Sequence, residues 1–324
     1  MRVVYWARIQ LARKQIVEKI GAMTGIELIV LETLPEVLAA LPGADAFLTY
    51  DAPKADAAQV VKVLDDPASK TKLMHVITAG REGFEAAGLP KKVTITYAAG
   101  AVSPAVAEHA MALLLAMGRR VPDMMVQKAA HQWDRSIATR AISLEGQTLA
   151  IVGFGHIGRE LALRARAFGM KVTCVSRSAA PDPLLDEVYP MASLHEALGR
   201  ADAVVIAIAM AAETRHLFDA KTLAACKRGA LLVNIARGAI IDQAALRDAL
   251  VSGQLGGAGL DVTDPEPLPA DDPLWDAPNL VLSPHFAGGG SAASMRRLAD
   301  GAAENLERFA RGESLLHVVA DGAR

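Results

Sequence analysis

The sequence predicts an α/β protein of two doubly wound parallel-sheet domains, and three observations carry that prediction. Short β-rich runs alternate with helical patterns through the first hundred residues. The alternation restarts near residue 148, and there a glycine loop joins a strand to its helix. With 324 residues, 52% hydrophobic and 22% charged, the chain is long enough for two cores.

In the first series, strands are read at "RVVYW" (2–6), "ELIVL" (27–31), "AFLTY" (46–50), "LMHVIT" (73–78) and "VTITY" (93–97). Helical patterns lie between them, as at 10–23 and 55–66. Parallel strands need crossover connections, so this alternation predicts a parallel sheet covered on both faces. "SPAVAEHAMALLLAMGRRV" (103–121) reads as one helix, with Ser103 as N-cap and Pro104 at the first helical position. Its apolar surface runs nearly all round, which predicts burial between domains or subunits. A polar segment with Trp133 is expected to follow. The second series places strands at 148–153, 171–176, 201–208, 229–235, 256–262 and 279–284, then a last helix at about 291–311.

Composition removes several function classes. Lys+Arg is 34 and Asp+Glu 36, a net charge of −2, which gives no global attraction to nucleic acid or anionic membrane. Cys174 and Cys226 have no paired spacing, so neither a disulfide framework nor a metal site is expected. "MRVVYWARIQ" lacks the apolar core and cleavage site of a signal peptide. The longest uncharged runs, such as 203–212, are too short for a bilayer span, so the expected compartment is the cytoplasm.

The glycine loop is Gly153-Phe154-Gly155-His156-Ile157-Gly158, between a strand and an amphipathic helix. Gly153 suits the tight turn, Gly155 lets a pyrophosphate approach the backbone, and Gly158 lets helix and strand pack closely. The helix N-terminus adds free N–H groups and a positive dipole end. In this context the loop reads as a Rossmann dinucleotide site, with His156 contributing backbone rather than imidazole.

The next strand ends in "KVTCVSRS" (171–178). Ser176 stands 18 residues after Gly158, where a carboxylate would accept hydrogen bonds from the ribose of NAD. Here Arg177 lies between Ser176 and Ser178, and the next acid, Asp182, reads as too far round the loop. Arg177 can pair with a 2′-phosphate and the two serines can donate to it, which predicts NADP(H).

"NIARGAIID" (234–242), "GLDVTDPEPLP" (259–269) and "SPHFAGGG" (283–290) each begin at a strand end, where ligands bind in open parallel sheets. Their Arg237, Glu266 and His285 can therefore converge. Hydride transfer needs a partner that moves a proton on the substrate oxygen, and histidine suits that job. A glutamate on its far nitrogen would fix the tautomer and raise the pKa. An arginine offers a planar fork to a carboxylate.

With these motifs in view, the sequence resembles the D-isomer-specific 2-hydroxyacid dehydrogenase family, closest to NADP-dependent glyoxylate/hydroxypyruvate reductases. "LEGQTLAIVGFGHIGRELALRARAFGMKV", "LLVNIARGAIIDQAALRDAL", "GAGLDVTDPEPLP" and "SPHFAGG" carry the likeness, over about residues 100 to 290. The resemblance implies a discontinuous flavodoxin-like substrate domain (1–100 plus 288–324), a Rossmann NADP-binding domain (101–287) and a homodimer. It also implies Arg237 as carboxylate binder, His285 as acid/base and Glu266 as its partner, with Ile235 and Asp261 beside the cofactor. Residues 78–83, "TAGREG", depart from the family's substrate loop, and the family's proline near Met210 is missing. Gly80 is a candidate backbone donor to the substrate carboxylate. Arg81, if it faces the cleft, would favour a second anionic group, and Arg8, Trp6 and Trp133 are candidate pocket walls. Two alternatives stay open: a dehydrogenase of another small anion such as phosphite, and a non-catalytic dinucleotide sensor.

Overall fold

The computed structural model describes residues 1–320. Two compact units divide the chain, Met1–Val102 together with the segment from Gly289, and Ser103–Gly288.

In the first unit the β-branched and aromatic runs form β1 (Arg2–Trp6), β2 (Glu27–Leu31), β3 (Ala46–Thr49), β4 (Leu73–Val76) and β5 (Thr94–Tyr97). They pair in parallel in the order β5-β4-β3-β1-β2. The crossovers are α1 (Arg13–Gly21), α2 (Leu34–Ala40), α3 (Lys54–Leu64) and α4 (Glu82–Ala87). Every residue of β3 and β4 is buried, as central strands covered on both faces must be. One core layer holds Ile16, Ile20 and Leu48, and the other Val37, Phe47, Val60 and Phe84.

The second unit opens with α5 (Ser103–Gly118) and α6 (Val121–Ala129). The segment expected as one helix to residue 121 breaks at Arg120, whose φ is 58°, and Pro122 then starts a new helix where a polar segment was expected. β6 (Thr148–Val152), α7 (His156–Ala167), β7 (Lys171–Ser176) and β8 (Glu187–Pro190) follow. The strand pattern at β8 is hidden by its flanking charge and proline, which an edge strand tolerates. Then come α8 (Leu194–Arg200), β9 (Ala203–Ile206), α9 (Ala220–Ala225), β10 (Ala230–Asn234), α10 (Gln243–Val251), β11 (Leu255–Leu260) and β12 (Leu280–Leu282). All seven strands are parallel, ordered β12-β11-β10-β9-β6-β7-β8. The order reverses between β6 and β9, which makes a crevice at their carboxyl ends.

The chain then returns to the first unit as α11 (Ala292–Arg311) and β13 (Val318–Ala320). Leu298, Ala302 and Leu306 of α11 share a core cluster with Ile16 and Ile20 of α1, and Lys19 pairs with Asp300 at 2.9 Å. β13 pairs antiparallel with β5, so the first sheet carries one antiparallel edge beyond the parallel arrangement expected. Among the described residues no helix is long and apolar enough to cross a membrane, and no side-chain cluster fits a metal ion.

Candidate active site

The glycine loop joins β6 to α7 as the sequence requires. Gly153 has φ +99°, a conformation costly for any residue with a Cβ. A Cβ on Gly158 would lie 2.6 Å from the Gly153 carbonyl, so contact between helix and turn depends on its absence. At Gly155 a Cβ would meet nothing within 4 Å: the space beside the α7 N-terminus is open. Open space, backbone N–H groups and the dipole end together fit a pyrophosphate.

At the tip of β7, Arg177 and Ser178 are exposed and Ser176 is half-buried. The Ser176 hydroxyl accepts the Ala179 N–H at 3.2 Å, and Ala179 takes φ 44°. This turn folds the loop back, and the Asp182 carboxylate reaches Arg159 in the first turns of α7. Asp182, expected too far round the loop to serve the ribose, is held by this pairing. It ends beside the helix that the glycine loop opens.

Arg237, Glu266 and His285 come from loops after β10, β11 and β12 of one unit. Buried Asn234 shapes the first loop: its Nδ2 donates to the Arg237 carbonyl at 2.9 Å, and its Oδ1 accepts the Ala236 N–H at 3.0 Å. At Gly238 a Cβ would fall 2.0 Å from the Thr263 backbone, so the Arg237 turn can sit against the Glu266 turn only with glycine there. The Thr263 N–H donates to Glu266 Oε1 at 3.0 Å and orients the second carboxylate oxygen. That oxygen, Oε2, lies 2.8 Å from His285 Nδ1. His285 Nε2 is thus the ring nitrogen left for a substrate.

The pair titrates as its geometry demands. The hydrogen bond to Glu266 raises His285 above its ordinary range, against opposing burial and the nearby Arg237 charge. Burial pushes Glu266 up, but the bonds from His285 and the Thr263 N–H outweigh it and hold the carboxyl low.

Asp261 supports this pair from below, and only 2% of it is exposed. Its Oδ1 accepts from the Ser283 hydroxyl at 2.6 Å and the Phe286 N–H at 3.1 Å, and its Oδ2 from the Ala287 N–H at 3.1 Å. Its carbonyl takes the His285 N–H at 2.8 Å. His109 of α5 closes the network, with Nε2 2.8 Å from the Ser283 hydroxyl and its ring against Phe286. These bonds hold His285 at φ 50°, a left-handed conformation that a non-glycine residue keeps only under surrounding restraint. Sequence reasoning missed Asn234, Gly238 and His109 as supports, although all three stand inside quoted motifs. A cavity of about 610 Å³ borders the pair, with Leu268 and Trp275 also in its wall. Ile235 is buried, 6% exposed, just beyond β10.

Of the remaining expected residues, Trp6, Arg8, Gly80 and Arg81 belong to the first unit and Trp133 to the second. Trp6 is a core residue of the first unit, 3% exposed, with its indole N–H bonded to the Glu32 carbonyl at 3.2 Å. Arg8 stacks over Trp6 and donates to the Asp51 carbonyl. Arg81 turns back on its own unit: its guanidinium lies 5.3 Å from the Tyr97 ring centre and 2.8 Å from Glu85. It is an already paired cation. Gly80 lies between β4 and α4 of that unit. Trp133 is 94% exposed and packs in no core of its own unit.

Comparison with known proteins shows what the chain is similar to. The family model for the NAD binding domain of D-isomer specific 2-hydroxyacid dehydrogenases matches residues 111–287. A glyoxylate reductase of Thermococcus litoralis is 34% identical over 278 residues, covering 83% of this chain and 81% of the relative. A D-3-phosphoglycerate dehydrogenase of Mycobacterium bovis is 33% identical over 288 residues, covering 89% of this chain. The chain spans about half that relative's length, 53%. Among solved structures, a D-isomer specific 2-hydroxyacid dehydrogenase family protein of Aeromonas salmonicida superposes with a TM-score of 0.85 at 29% identity, covering 98% of each chain.

Proposed function

The chain belongs to the D-isomer specific 2-hydroxyacid dehydrogenase family, and from that premise we propose that it is an NADP(H)-dependent reductase of small 2-keto acids such as glyoxylate and hydroxypyruvate. The observation that carries the reading is the His285–Glu266 pair, set beside Arg237 at the strand ends of a dinucleotide-binding unit. Arg237 binds the substrate carboxylate with its planar fork and polarises the keto oxygen. His285 gives a proton from Nε2 to that oxygen during reduction and takes it back during oxidation. Glu266 fixes the tautomer and stabilises the imidazolium. When bound, the nicotinamide supplies or accepts the hydride. Asp261 acts through the loop it holds, and Ile235 lines the cofactor side. We assign the cofactor to the second unit, which carries the glycine loop, and a substrate role to the first as part of the same proposal. Arg81, paired with Glu85 within its own unit, is given no second substrate anion in this reading. A panel of 2-keto acids under steady-state conditions tests this. Preference for bulky aromatic keto acids would contradict it.

The reaction direction sets the pH dependence. Reduction uses the imidazolium, so kcat/KM for reduction holds below the raised pKa of His285 and falls as pH rises through it. Oxidation shows the mirror trend. In Glu266→Gln the basic limb of the reduction profile should move to lower pH by about one unit. An unmoved limb would mean that Glu266 does not tune His285.

Arg177 supports the phosphate preference. Arg177→Ala should raise the Kd for NADPH roughly tenfold and leave that for NADH nearly unchanged, as expected for loss of one charge-assisted contact. Equal effects on both cofactors would remove the assignment.

A homodimer completes the reading. α6 buries none of its residues, and Met125, Val126 and Trp133 are 57%, 70% and 94% exposed. Apolar side chains exposed in this way support an association surface. Light scattering should give twice the 34.1 kDa chain mass, and Met125→Asp should lower it. A wild-type protein at the single-chain mass would contradict the dimer.

A further inference from the structure

We infer that Arg159 determines cofactor preference by neutralising Asp182 beside the adenosine 2′ position. The inference rests on the NADP(H) reading above, because it concerns the same end of the dinucleotide. The loop after β7 carries two carboxylates, Asp182 and Asp186. Asp186 serves the far end of the strand, accepting from the Val172 N–H at 2.7 Å and from Arg166 at 3.2 Å. Asp182 is different. The turn made by Ser176 and Ala179 brings it back toward the glycine loop. Its Oδ1 accepts the Leu184 N–H at 3.0 Å, and its Oδ2 pairs with the Arg159 guanidinium. The Asp182 side chain is only 13% exposed, whereas Arg159 is 55% exposed. Arg159 also lies 5.9 Å from the ring centre of Phe154, within the loop itself.

One guanidinium therefore bridges the glycine loop and the loop at the β7 tip. Arg177, Arg159 and Asp182 together carry one net positive charge. Removing Arg159 alone cancels it and leaves an unpaired carboxylate near a dianionic phosphate. That carboxylate repels a 2′-phosphate and is available to accept from a 2′-hydroxyl. Removing both partners restores the positive charge. Arg159 is thus a specificity-determining residue that works through Asp182.

Direct binding is the test, with NADPH and NADH titrated separately into substrate-free protein by calorimetry, and Tm recorded to confirm folding. Arg159→Gln should weaken NADPH roughly five- to tenfold relative to NADH. Asp182→Asn should shift the ratio toward NADPH. The double variant Arg159→Gln/Asp182→Asn should return NADPH affinity to within about twofold of wild type. A double variant as weak as Arg159→Gln would overturn the inference, since Arg159 would then act without Asp182. An unchanged ratio in Arg159→Gln would also overturn it. A wild type that prefers NADH sinks the NADP(H) reading instead. The opposed shifts of the two single variants would still be required.

Discussion

His285→Ala should lower kcat for keto-acid reduction by roughly 10²- to 10⁴-fold, the usual contribution of a positioned acid/base. The group removed is the one side chain in the constellation with a titrating nitrogen left for the substrate oxygen. Its Nδ1 is taken by Glu266 at 2.8 Å, and its pKa is raised so that the acid form persists toward neutral pH. Cofactor affinity should change by less than about threefold, because the glycine loop and the β7 tip are untouched. Stopped-flow single-turnover kinetics with a direct NADPH titration checks both halves. Unaltered chemistry would place the acid/base elsewhere. Lost NADPH binding would show that the substitution disturbed the loop Asp261 holds, and Glu266→Gln then serves as the milder probe.

Arg237→Ala should lower kcat/KM by roughly 10²- to 10³-fold, and Arg237→Lys should recover only part of the loss. Truncating one partner of a charged hydrogen-bonded contact costs about 2–5 kcal/mol, and each 1.36 kcal/mol is about tenfold. Lysine returns the charge but not the planar fork. The turn itself should survive, because Asn234 shapes it through backbone groups and Gly238 sets its closeness to Thr263. Steady-state kinetics on both variants decides it. Full recovery by lysine would reduce the role of Arg237 to a point charge.

The proposed reacting groups were more readily legible in the sequence than their supports. His285, Glu266 and Arg237 were legible because each stands just past a strand whose apolar pattern is clear, and because their chemistry has few substitutes. The Asp261 network was not legible in the same way. Its partners, Ser283, Phe286, Ala287 and His109, are set by strand register and by a helix far away in sequence. The pairing of Asp182 with Arg159 was not legible for a local reason, since one serine hydroxyl and one left-handed alanine reverse its loop. The break between α5 and α6 turns on a left-handed arginine, which residue preference argues against. Trp6 and Arg81 show the limit for pocket walls: their residue types suit a binding surface, and only packing reveals a core indole and an already paired guanidinium.

The return of the chain through α11 and β13 has a consequence for the order in which the molecule is made. The second unit is one continuous stretch, Ser103–Gly288, and its seven-stranded sheet needs nothing from outside that stretch. The first unit lacks both the helix that covers Ile16 and Ile20 and the edge partner of β5 until the residues after Gly288 have been synthesised. Domains fold as units as they leave the ribosome. The part begun first is therefore the part whose core can be completed only last.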